Sequence, residues 1–420
     1  MKKRLLLSVV LALISPLSLF TTADAAHLPF GKPTKGVCSR QKDGVANCSA
    51  HIVYEDGSKK PLATASFANG YKPADLASAY KLPALPTGAF ASNGQTVAIV
   101  DAYNNPNTAS DVLAYRKQFN LPICSTANPT PSVADQTSCF FTKLNQKGAA
   151  LPLPASNTSW GQEIDLDLDM VSASCPSCKI LLVESNSSSF ADLGSAVNAA
   201  AAAGANAISN SYGGSESSSE TAAAMAAPYN HPGIAVTVST GDSGYGVEFP
   251  ASSPYVTAVG GTSLTAASNT RGWTEAAWNG AGSGCSTYVA KLTWQKQIGT
   301  CSKRMVADVS AVANPNTGVA VYDSYGSTGG ANWLVFGGTS VASPIVAGVY
   351  ALAGNAGATS KSLKYGEYPY AHLGGLYDVS SGSNGNCTSF FSRSNLALCT
   401  SAAGYDGPTG LGSPNGTSAF

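Results

Sequence analysis

Two glycines, a pair of hydroxyl residues and a long apolar run form the sequence feature that most constrains this fold. The glycines precede Thr339 and Ser340, and the small and apolar residues 341–352 follow. This order predicts a tight turn that leads into a buried helix, with Ser340 at the helix N-terminus. Free backbone N–H groups and the positive end of the helix dipole favour negative charge there, as an oxyanion formed during acyl transfer requires. The alternative is that Thr339 and Ser340 only cap the helix.

The length and charge of the chain narrow the class of protein. Its 420 residues are enough for one large α/β domain or for two to three smaller domains. Only 11% of the residues are charged and the formal net charge is +0, so the chain lacks the basic surface typical of nucleic-acid-binding proteins.

Residues 1–25 have the pattern of a secretory signal peptide. Basic residues begin the segment, an apolar stretch extends to Phe20, and a small-x-small cleavage site ends at Ala25. We therefore expect a secreted, extracellular protein that does not associate with a membrane after signal cleavage. Residues 26–70 then form a short N-terminal extension or leader, and residues 71–420 form the main domain.

Ten cysteines fit an oxidising compartment, where disulfides persist. They lie in sequence-local pairs, which we predict to be bonded, although other connectivities stay open. The predicted pairs are 38/48, 124/139, 175/178, 285/301 and 387/399. The Cys-x-x-Cys of residues 175–178 follows a predicted helix and precedes a strand, the reverse of a thioredoxin-like redox motif, so a structural loop is favoured over a redox centre.

Short apolar segments alternate with helical patterns along most of the chain. Strands are predicted at residues 96–100, 179–183, 205–209, 234–238 and 255–259, and helices at residues 108–119, 191–203 and 220–229. This alternation predicts an α/β fold with a mainly parallel sheet and helices on both faces. Sites in such sheets form at the carboxyl ends of the strands, where Asp101, residues 211–214 and residues 241–244 are expected.

A serine nucleophile needs a neighbouring base, and histidine is the usual one. The four histidines are poorly placed for this role, since His27 and His51 lie in the leader and His231 and His372 lie in apparent loops. A Ser-His-Asp triad with Asp101 as its acid remains the alternative, but its histidine is not identified.

Acidic residues offer a better candidate for the base. Ser159-x-x-Gln162 is a capping-box pattern, which predicts a helix that starts at Ser159. Glu163 and Asp167 are four residues apart and would project from one face of this helix. If that face is partly buried, two adjacent carboxylates that share a proton can supply a base with a raised pKa. The alternative is a solvated acidic face.

Asp242, in the sequence Gly-Asp-Ser-Gly, is a third candidate carboxyl group. A carboxylic acid that stays neutral can donate a hydrogen bond to an oxyanion, which requires acidic working conditions. The alternative is an ordinary turn residue.

Three motifs in this order resemble the sedolisins, the serine-carboxyl peptidases, from about Tyr71 to the C-terminus. They are Glu-x-Asp-x-Asp in a helix, Ser-Thr-Gly-Asp-Ser-Gly after a strand, and Gly-Gly-Thr-Ser-x-x-x-Pro before a helix. The resemblance implies a subtilisin-like α/β fold in which glutamate replaces histidine. It implies Ser340 as nucleophile, Glu163 as general base, Asp167 as the residue that orients Glu163 and shares its proton, and Asp242 as the oxyanion donor.

The same resemblance extends to the substrate edge and to a metal site. Ser211-Tyr212-Gly213-Gly214 is similar to the segment that pairs with the substrate backbone. The C-terminal loops resemble the family's single calcium site, with ligands from Asp378, Val379, Ala402, Gly404 and Asp406. Carboxylate and carbonyl oxygens suit Ca²⁺. Without the resemblance, both aspartates could be turn residues. The intervening Asp165 has no assigned role.

The sequence therefore predicts a secreted, monomeric serine endopeptidase that acts on protein or peptide substrates at acidic pH through an acyl-enzyme, without a nucleic-acid partner. One departure is that sedolisins usually carry a long folded prodomain, for which residues 26–70 are too few, so latency and self-processing are in doubt. The alternatives are a catalytically inactive peptide-binding relative, a subtilisin-type Ser-His-Asp peptidase and a disulfide-rich adhesion module.

Overall fold

A computed structural model describes most of the chain. The described residues are 31–38, 44–65, 69–124, 140–296, 301–327, 330, 332–354, 365–386 and 396–420. The predicted signal peptide and one cysteine of each of the pairs 124/139 and 387/399 lie outside these ranges. Among the helices of the described part, none is both long enough and apolar enough to cross a membrane.

The secondary structure alternates between strands and helices over the central part of the chain. The strands are β1 (Thr34–Gly36), β2 (Asn47–Cys48), β3 (His51–Val53), β4 (Thr96–Ala102), β5 (Phe141–Asn145), β6 (Lys179–Ser185), β7 (Ala207–Asn210), β8 (Tyr212–Ser215), β9 (Ala235–Ser239), β10 (Glu248–Phe249), β11 (Thr257–Ala266), β12 (Trp273–Ala277), β13 (Gly284–Ala290), β14 (Lys303–Val306), β15 (Val309–Val312), β16 (Val319–Tyr322), β17 (Trp333–Gly337), β18 (Leu376–Tyr377) and β19 (Ser413–Pro414). The helices are α1 (Pro73–Ala79), α2 (Thr108–Gln118), α3 (Thr158–Ser174), α4 (Phe190–Ala202), α5 (Ala223–Ala226), α6 (Thr339–Leu352) and α7 (Tyr368–Ala371).

The central sheet has the strand order β12-β11-β9-β7-β4-β6-β5, and β15 also pairs with β11. Every neighbouring pair is parallel except β11 and β12, which are antiparallel. The mainly parallel sheet predicted from the short apolar strands is therefore confirmed.

Strand β4 shows that both faces of this sheet are covered. Its side chains alternate between the two faces, as in any strand. Val97 and Ile99 belong to the apolar core that contains the buried residues of α3 and α6, whereas Ala98 and Val100 belong to the core that contains those of α4. Helices on both faces were predicted, and the structure confirms them.

Two local predictions differ from the structure. The single helix expected at residues 220–229 is wrong, because short 3₁₀ turns flank the four-residue α5. Helix α5 has no buried residue to hold it against the core. Pro228 has no N–H, so it cannot donate the backbone hydrogen bond that would continue the helix. The helix expected to start at Ser159 begins at Thr158, because the side chain of Asn157 accepts a hydrogen bond from the N–H of Trp160 at 3.1 Å and caps it.

Three of the predicted disulfides are confirmed in the described residues: Cys38–Cys48, Cys175–Cys178 and Cys285–Cys301. The Cys175–Cys178 bond closes a small buried loop between α3 and β6, as expected for a structural element.

The segment before residue 70 is built into the body of the protein. Strands β1 and β3 extend a sheet that contains β17 and β16, and β2 pairs with β8. The division of the chain at residue 70 stays a prediction, but the leader contributes strands on two sides of the site described below.

Helix α3 carries a second acidic face in addition to the one predicted. The carboxyl oxygens of Asp165, Asp111 and Asp323 lie within 4.8 Å of one another, and all three residues are buried. Asp169, one turn beyond Asp165, accepts a hydrogen bond from the N–H of Tyr322 at 2.8 Å. Burial raises the pKa of each of these four carboxyl groups, and charge repulsion from neighbouring carboxylates raises the pKa of Asp111, Asp165 and Asp169 further. This face therefore joins α3 to α2 and to the end of β16, and its carboxyl groups bind protons more tightly than they would in water.

We expect the free energy of unfolding to be larger at about pH 4 than at about pH 8. The raised folded-state pKa values mean that the folded protein holds protons which the unfolded chain releases. This contribution is complete below about pH 4, the usual pKa of Asp, and is lost as the pH rises through the raised values. Urea unfolding at several pH values measures it.

The variant Asp165→Asn should flatten this pH dependence, because the amide does not titrate, while Asp56→Asn at an exposed surface position should not. A wild-type stability that increases steadily up to pH 8 would contradict the assignment of protonated carboxyl groups.

Candidate active site

The predicted site residues converge at one edge of the central sheet. Asp101 lies near the carboxyl end of β4, Ser211 directly follows β7, and Asp242 follows β9. Because these strands are parallel, their carboxyl ends meet at the same edge. Helix α6 begins there with Ser340 as its second residue, as predicted.

The turn before α6 explains why two glycines precede the hydroxyl residues. Gly338 has φ +105°, a left-handed conformation that side chains rarely adopt. A Cβ atom there would collide with the carbonyl oxygen of Ser49 and with Oδ2 of Asp242. The glycine therefore lets two oxygen atoms approach the N-terminus of α6.

The proline in the serine motif also has a local function. Pro344 lies inside α6 and has no N–H to donate to the carbonyl of Ser340, four residues earlier. That carbonyl accepts a hydrogen bond from the Ser211 hydroxyl instead, at 3.4 Å. Pro344 thus frees an acceptor that ties α6 to the end of β7.

Glu163 and Asp167 project from one face of α3 into this site, and both are fully buried. The solvated acidic face is therefore excluded. Burial raises the pKa of Glu163 well above its usual range, and the charges of Asp167 and Asp101 raise it further. The Ser340 hydroxyl lies close enough to lower the pKa of Glu163, but it donates here to the carbonyl oxygen of Ser211 at 3.3 Å.

Asp167 is linked to Ser340 through Ser211. The hydroxyl of Ser211 donates to Oδ1 of Asp167 at 2.8 Å, and it also lies 3.4 Å from the carbonyl oxygen of Ser340. Burial and repulsion from Asp101 raise the pKa of Asp167 well above its usual range, while the Ser211 hydrogen bond lowers it. A buried pair of this kind holds a proton between two carboxyl groups under conditions where isolated carboxyl groups are ionised.

Behind the pair lies a second layer of charge, which the sequence did not indicate. Asp101 pairs in register with Glu184 on β6, and Glu184 lies 2.7 Å from the ammonium group of Lys143. Burial and the Glu184 charge raise the pKa of Asp101, and burial raises the pKa of Glu184 to about 7. Strand register brings these residues together over long sequence separations, so no local motif could reveal them.

Asp242 is anchored by the residue that precedes the serine. Its Oδ1 accepts hydrogen bonds from both the N–H and the hydroxyl of Thr339, each at 2.8 Å. Its Oδ2 faces the space beside Gly338, and among the described residues only Nε2 of His51, at 3.5 Å, pairs with it. Burial raises the pKa of Asp242 to about 7, so the group is neutral at acidic pH and can donate from Oδ2.

The histidines do not form a Ser-His-Asp triad with Ser340 in the described structure. His51 contacts Asp242, and His231 binds the carbonyl oxygen of Pro228 in the turn before β9, at the opposite edge of the sheet. Asp101, the acid of that alternative, lies near the acidic pair instead, and its charge raises the pKa of both Glu163 and Asp167. His51 was assigned to the leader in sequence, and no local signal placed it beside Asp242.

The predicted substrate edge, residues 211–214, lies beside Ser340. Tyr212–Ser215 form β8, whose two neighbours are β10 and the N-terminal strand β2. Asn47 pairs with Gly213 and Cys48 with Tyr212, both antiparallel. The edge on which a substrate is expected therefore carries a strand of the same chain.

The five predicted calcium ligands lie in two loops that meet. Oδ2 of Asp378 accepts a hydrogen bond from the N–H of Gly404 at 2.9 Å, and Asp406 accepts one from the N–H of Ala402 at 3.1 Å. The carbonyl oxygen of Val379 lies 3.4 Å from the hydroxyl of Thr409, which also donates to Asp406. The hydrogen bonds of Asp378 with Gly404 and of Val379 with Thr409 join the two loops.

Comparisons with known proteins agree with this geometry. A family model described as the subtilase family matches residues 155–365. Sedolisin of Pseudomonas sp. (strain 101) is 32% identical over 210 residues, which are 43% of this chain and 33% of that protein. Xanthomonalisin of Xanthomonas sp. (strain T-22) is 33% identical over 202 residues, 43% of this chain and 22% of that protein. The matches thus span about a third or less of these relatives' own lengths.

The structural similarity covers more of the chain. A solved structure of Pseudomonas sedolisin, a serine-carboxyl proteinase in complex with two molecules of pseudo-iodotyrostatin, superimposes with a TM-score of 0.65 at 26% identity. It covers 83% of this chain and 96% of the sedolisin chain. The chain described here therefore belongs to the subtilase family, and within it to the sedolisins with their subtilisin-like fold.

Proposed function

We propose that this protein is a serine-type endopeptidase that hydrolyses peptide bonds in proteins or peptides at acidic pH. The observation that carries the proposal is the burial of the Glu163–Asp167 pair beside Ser340 at the N-terminus of α6. A serine in this setting has both an adjacent base and backbone N–H donors at a helix N-terminus, which acyl transfer requires.

The proposed reaction begins when the Ser340 hydroxyl attacks the substrate carbonyl carbon and its proton passes to Glu163. Asp167 orients Glu163 and shares its proton, so that the pair holds a single negative charge before the reaction. The tetrahedral intermediate carries its negative charge on an oxygen near the N-terminus of α6. The Ser340 N–H and the protonated Oδ2 of Asp242 are the donors for that oxygen.

Glu163 then returns the proton to the leaving amine, and the acyl group remains on Ser340 as an ester. Water hydrolyses the ester with Glu163 again as the base. Both carboxyl roles depend on burial: Glu163 needs a pKa high enough to accept a proton, and Asp242 must stay neutral to donate one. Acidic conditions keep Asp242 neutral, and the proton shared with Asp167 leaves the single negative charge with which Glu163 acts as the base.

We expect Glu163→Gln to lower kcat/KM on a denatured protein substrate by about 10²–10⁴-fold, the usual contribution of a general base. The amide keeps the size of the side chain but accepts no proton. The measurement is hydrolysis between about pH 3 and pH 8, with folding checked by circular dichroism.

The matched control for this variant is Asp165→Asn, which changes a buried carboxyl group two residues away on the other face of α3 and should retain activity. An unaffected Glu163→Gln enzyme with an optimum near neutral pH would favour a histidine base instead, and loss of activity in His231→Ala would support that view.

Replacing Asp242 should separate its donor function from its titration. We expect Asp242→Ala to lose about 10²–10³-fold in kcat, as for removal of one oxyanion donor. Asp242→Asn keeps an N–H donor that does not titrate, so it should retain more activity than the alanine variant. Wild-type kcat should fall above about pH 7, where Asp242 loses its proton. In Asp242→Asn this decrease of kcat should occur at a higher pH. Equal losses in both variants would exclude the donor role.

We also propose that the enzyme is secreted and works outside the cell. The support is the signal-peptide pattern of residues 1–25 together with disulfides that need an oxidising compartment.

We further propose one structural Ca²⁺ held by the carboxylates of Asp378 and Asp406 and by the carbonyl oxygens of Val379, Ala402 and Gly404. Its function would be to join the two C-terminal loops, at a distance from the reaction.

If these loops bind calcium, chelation with EGTA should lower the melting temperature by a few degrees, because a ligand that binds only the folded state stabilises it. Asp378→Asn should remove most of this response, since it deletes one of two charged ligands. Asp56→Asn, at another exposed aspartate, should keep it. A melting temperature that is insensitive to both calcium and EGTA in the wild type would exclude the site.

A further inference from the structure

The N-terminal strap, residues 44–54, marks the path that a substrate backbone would take along β8. Asn47 pairs antiparallel with Gly213, and Ser49 continues this register by donating its N–H to the carbonyl oxygen of Ser211 at 3.2 Å. An extended peptide that replaced the strap would form the same backbone hydrogen bonds, because these bonds require no particular side chain. The strap therefore shows how a substrate would lie against β8.

Ser49 stands at the P1 position, which belongs to the substrate residue whose carbonyl carbon is attacked. Its carbonyl oxygen accepts a hydrogen bond from the N–H of Ser340 at 3.0 Å, so this carbonyl lies at the N-terminus of α6. The side chain of Ser49 lies on the same face of the strand pair as that of Asn47, since side chains alternate along a strand. The P1 residue of a substrate would direct its side chain toward that face.

Gly213 leaves this face of β8 open, and Glu248 fills the space. Residues opposite each other in an antiparallel pair carry their side chains on the same face, so a side chain at Gly213 would lie beside that of Asn47. A Cβ atom on Gly213 would collide with Oε2 of Glu248. Glu248 belongs to β10, which pairs with β8 on the side opposite β2. Its carboxyl group thus reaches over β8 toward the P1 side chain.

The turn after β9 forms the opposite wall of the same space. Gly241 has φ +100°, and a Cβ atom there would lie 2.6 Å from Cδ and 2.7 Å from Oε1 of Glu248. The next residue is Asp242, the proposed oxyanion donor, so this wall lies beside the reacting carbonyl. The Glu248 carboxyl group is therefore held between two glycines, one on the substrate edge and one next to the oxyanion position. Glu248 keeps part of its surface exposed, so a substrate side chain can reach it.

From this geometry we propose that Glu248 makes the enzyme selective for lysine or arginine as the P1 residue. The proposal rests on the function proposed for Ser340. A carboxylate has about four acceptor positions, so it can bind a substrate cation in addition to its contacts within the protein. An ammonium or guanidinium group forms short, charge-assisted hydrogen bonds with it. A large apolar side chain would remove the carboxylate from water without replacing those bonds, and an acidic one would repel it.

Competition between peptides tests this selectivity. Peptides of one sequence with lysine, arginine, alanine, leucine or glutamate at P1 are mixed in equal amounts with the full chain at about pH 5.5, above the usual pKa of a glutamate side chain. Mass spectrometry of the products gives the ratios of kcat/KM, which do not depend on the fraction of active enzyme. We expect the lysine and arginine peptides to be cleaved about tenfold or more faster than the leucine peptide, and the glutamate peptide to be the slowest.

Two variants of Glu248 separate its charge from its size. Glu248→Gln keeps the shape of the side chain and removes the charge, so the preference for lysine over leucine should largely disappear. Glu248→Ala also empties the space between the glycines, so it should cleave the leucine peptide faster than the wild type does. Circular dichroism shows whether each variant folds.

The matched control is Glu216→Gln, which removes a negative charge just beyond the end of β8. The side chain of Glu216 accepts a hydrogen bond from the N–H of Thr287 at 3.0 Å. Its replacement should leave the wild-type ratios unchanged, because the selectivity comes from the carboxyl group between the glycines and not from the net charge of the region.

The outcomes separate the selectivity from the proposed function. If the wild type cleaves the lysine and leucine peptides equally fast, or if Glu248→Gln keeps the wild-type ratios, Glu248 does not select the P1 residue and the function of Ser340 stands. A preference for alanine that only Glu248→Ala relaxes would also overturn the proposal, because the side chain would then only fill space. If the folded wild type cleaves none of the peptides at any pH, the proposed function is wrong and the selectivity with it.

Discussion

The removal of carboxyl groups from water is the interaction on which the site depends. Helix α3 packs against the sheet and against α6, which itself lies on the sheet, and it buries Glu163 and Asp167 on one face and Asp165 and Asp169 on the other. An isolated ionised carboxylate in such a position would cost several kcal/mol, so burial raises the pKa of all four groups. The same desolvation that raises the pKa values beside Ser340 also makes α3 costly to bury at alkaline pH, where its carboxyl groups ionise. Stability and reactivity thus respond to pH for one physical reason.

The structure also brings the N-terminal segment to the active site. The N-terminal strap contributes β2 and β3, which bridge β8 on one side of Ser340 and β17 on the other. Backbone hydrogen bonds supply most of this binding, and they require little of the side chains. A strand bound through its backbone in this way lies in the position expected for a peptide substrate.

Much of the site could be predicted because its chemistry is carried by local motifs. The helix start at Ser340, the four-residue spacing of Glu163 and Asp167, and Asp242 at a strand end each follow from short-range geometry. The errors were also local: Asn157 caps α3 in place of Ser159, since several neighbouring residues could serve as caps. Asp101, Glu184 and Lys143 could not be assembled in advance, because parallel strand register joins positions far apart in sequence.

The sequence by itself determined the alternation of strands and helices and the spacing of the carboxyl groups that lie beside the serine. These features depend on residue type and on periods of two or about four residues, which a single chain displays directly. Only the tertiary structure decided that the carboxyl groups are buried, that His51 approaches Asp242, and that Ser49 lies at the N-terminus of α6. Burial and long-range pairing are properties of the packed chain, and no local pattern in residues 44–54 marks them as the segment that fills the cleft.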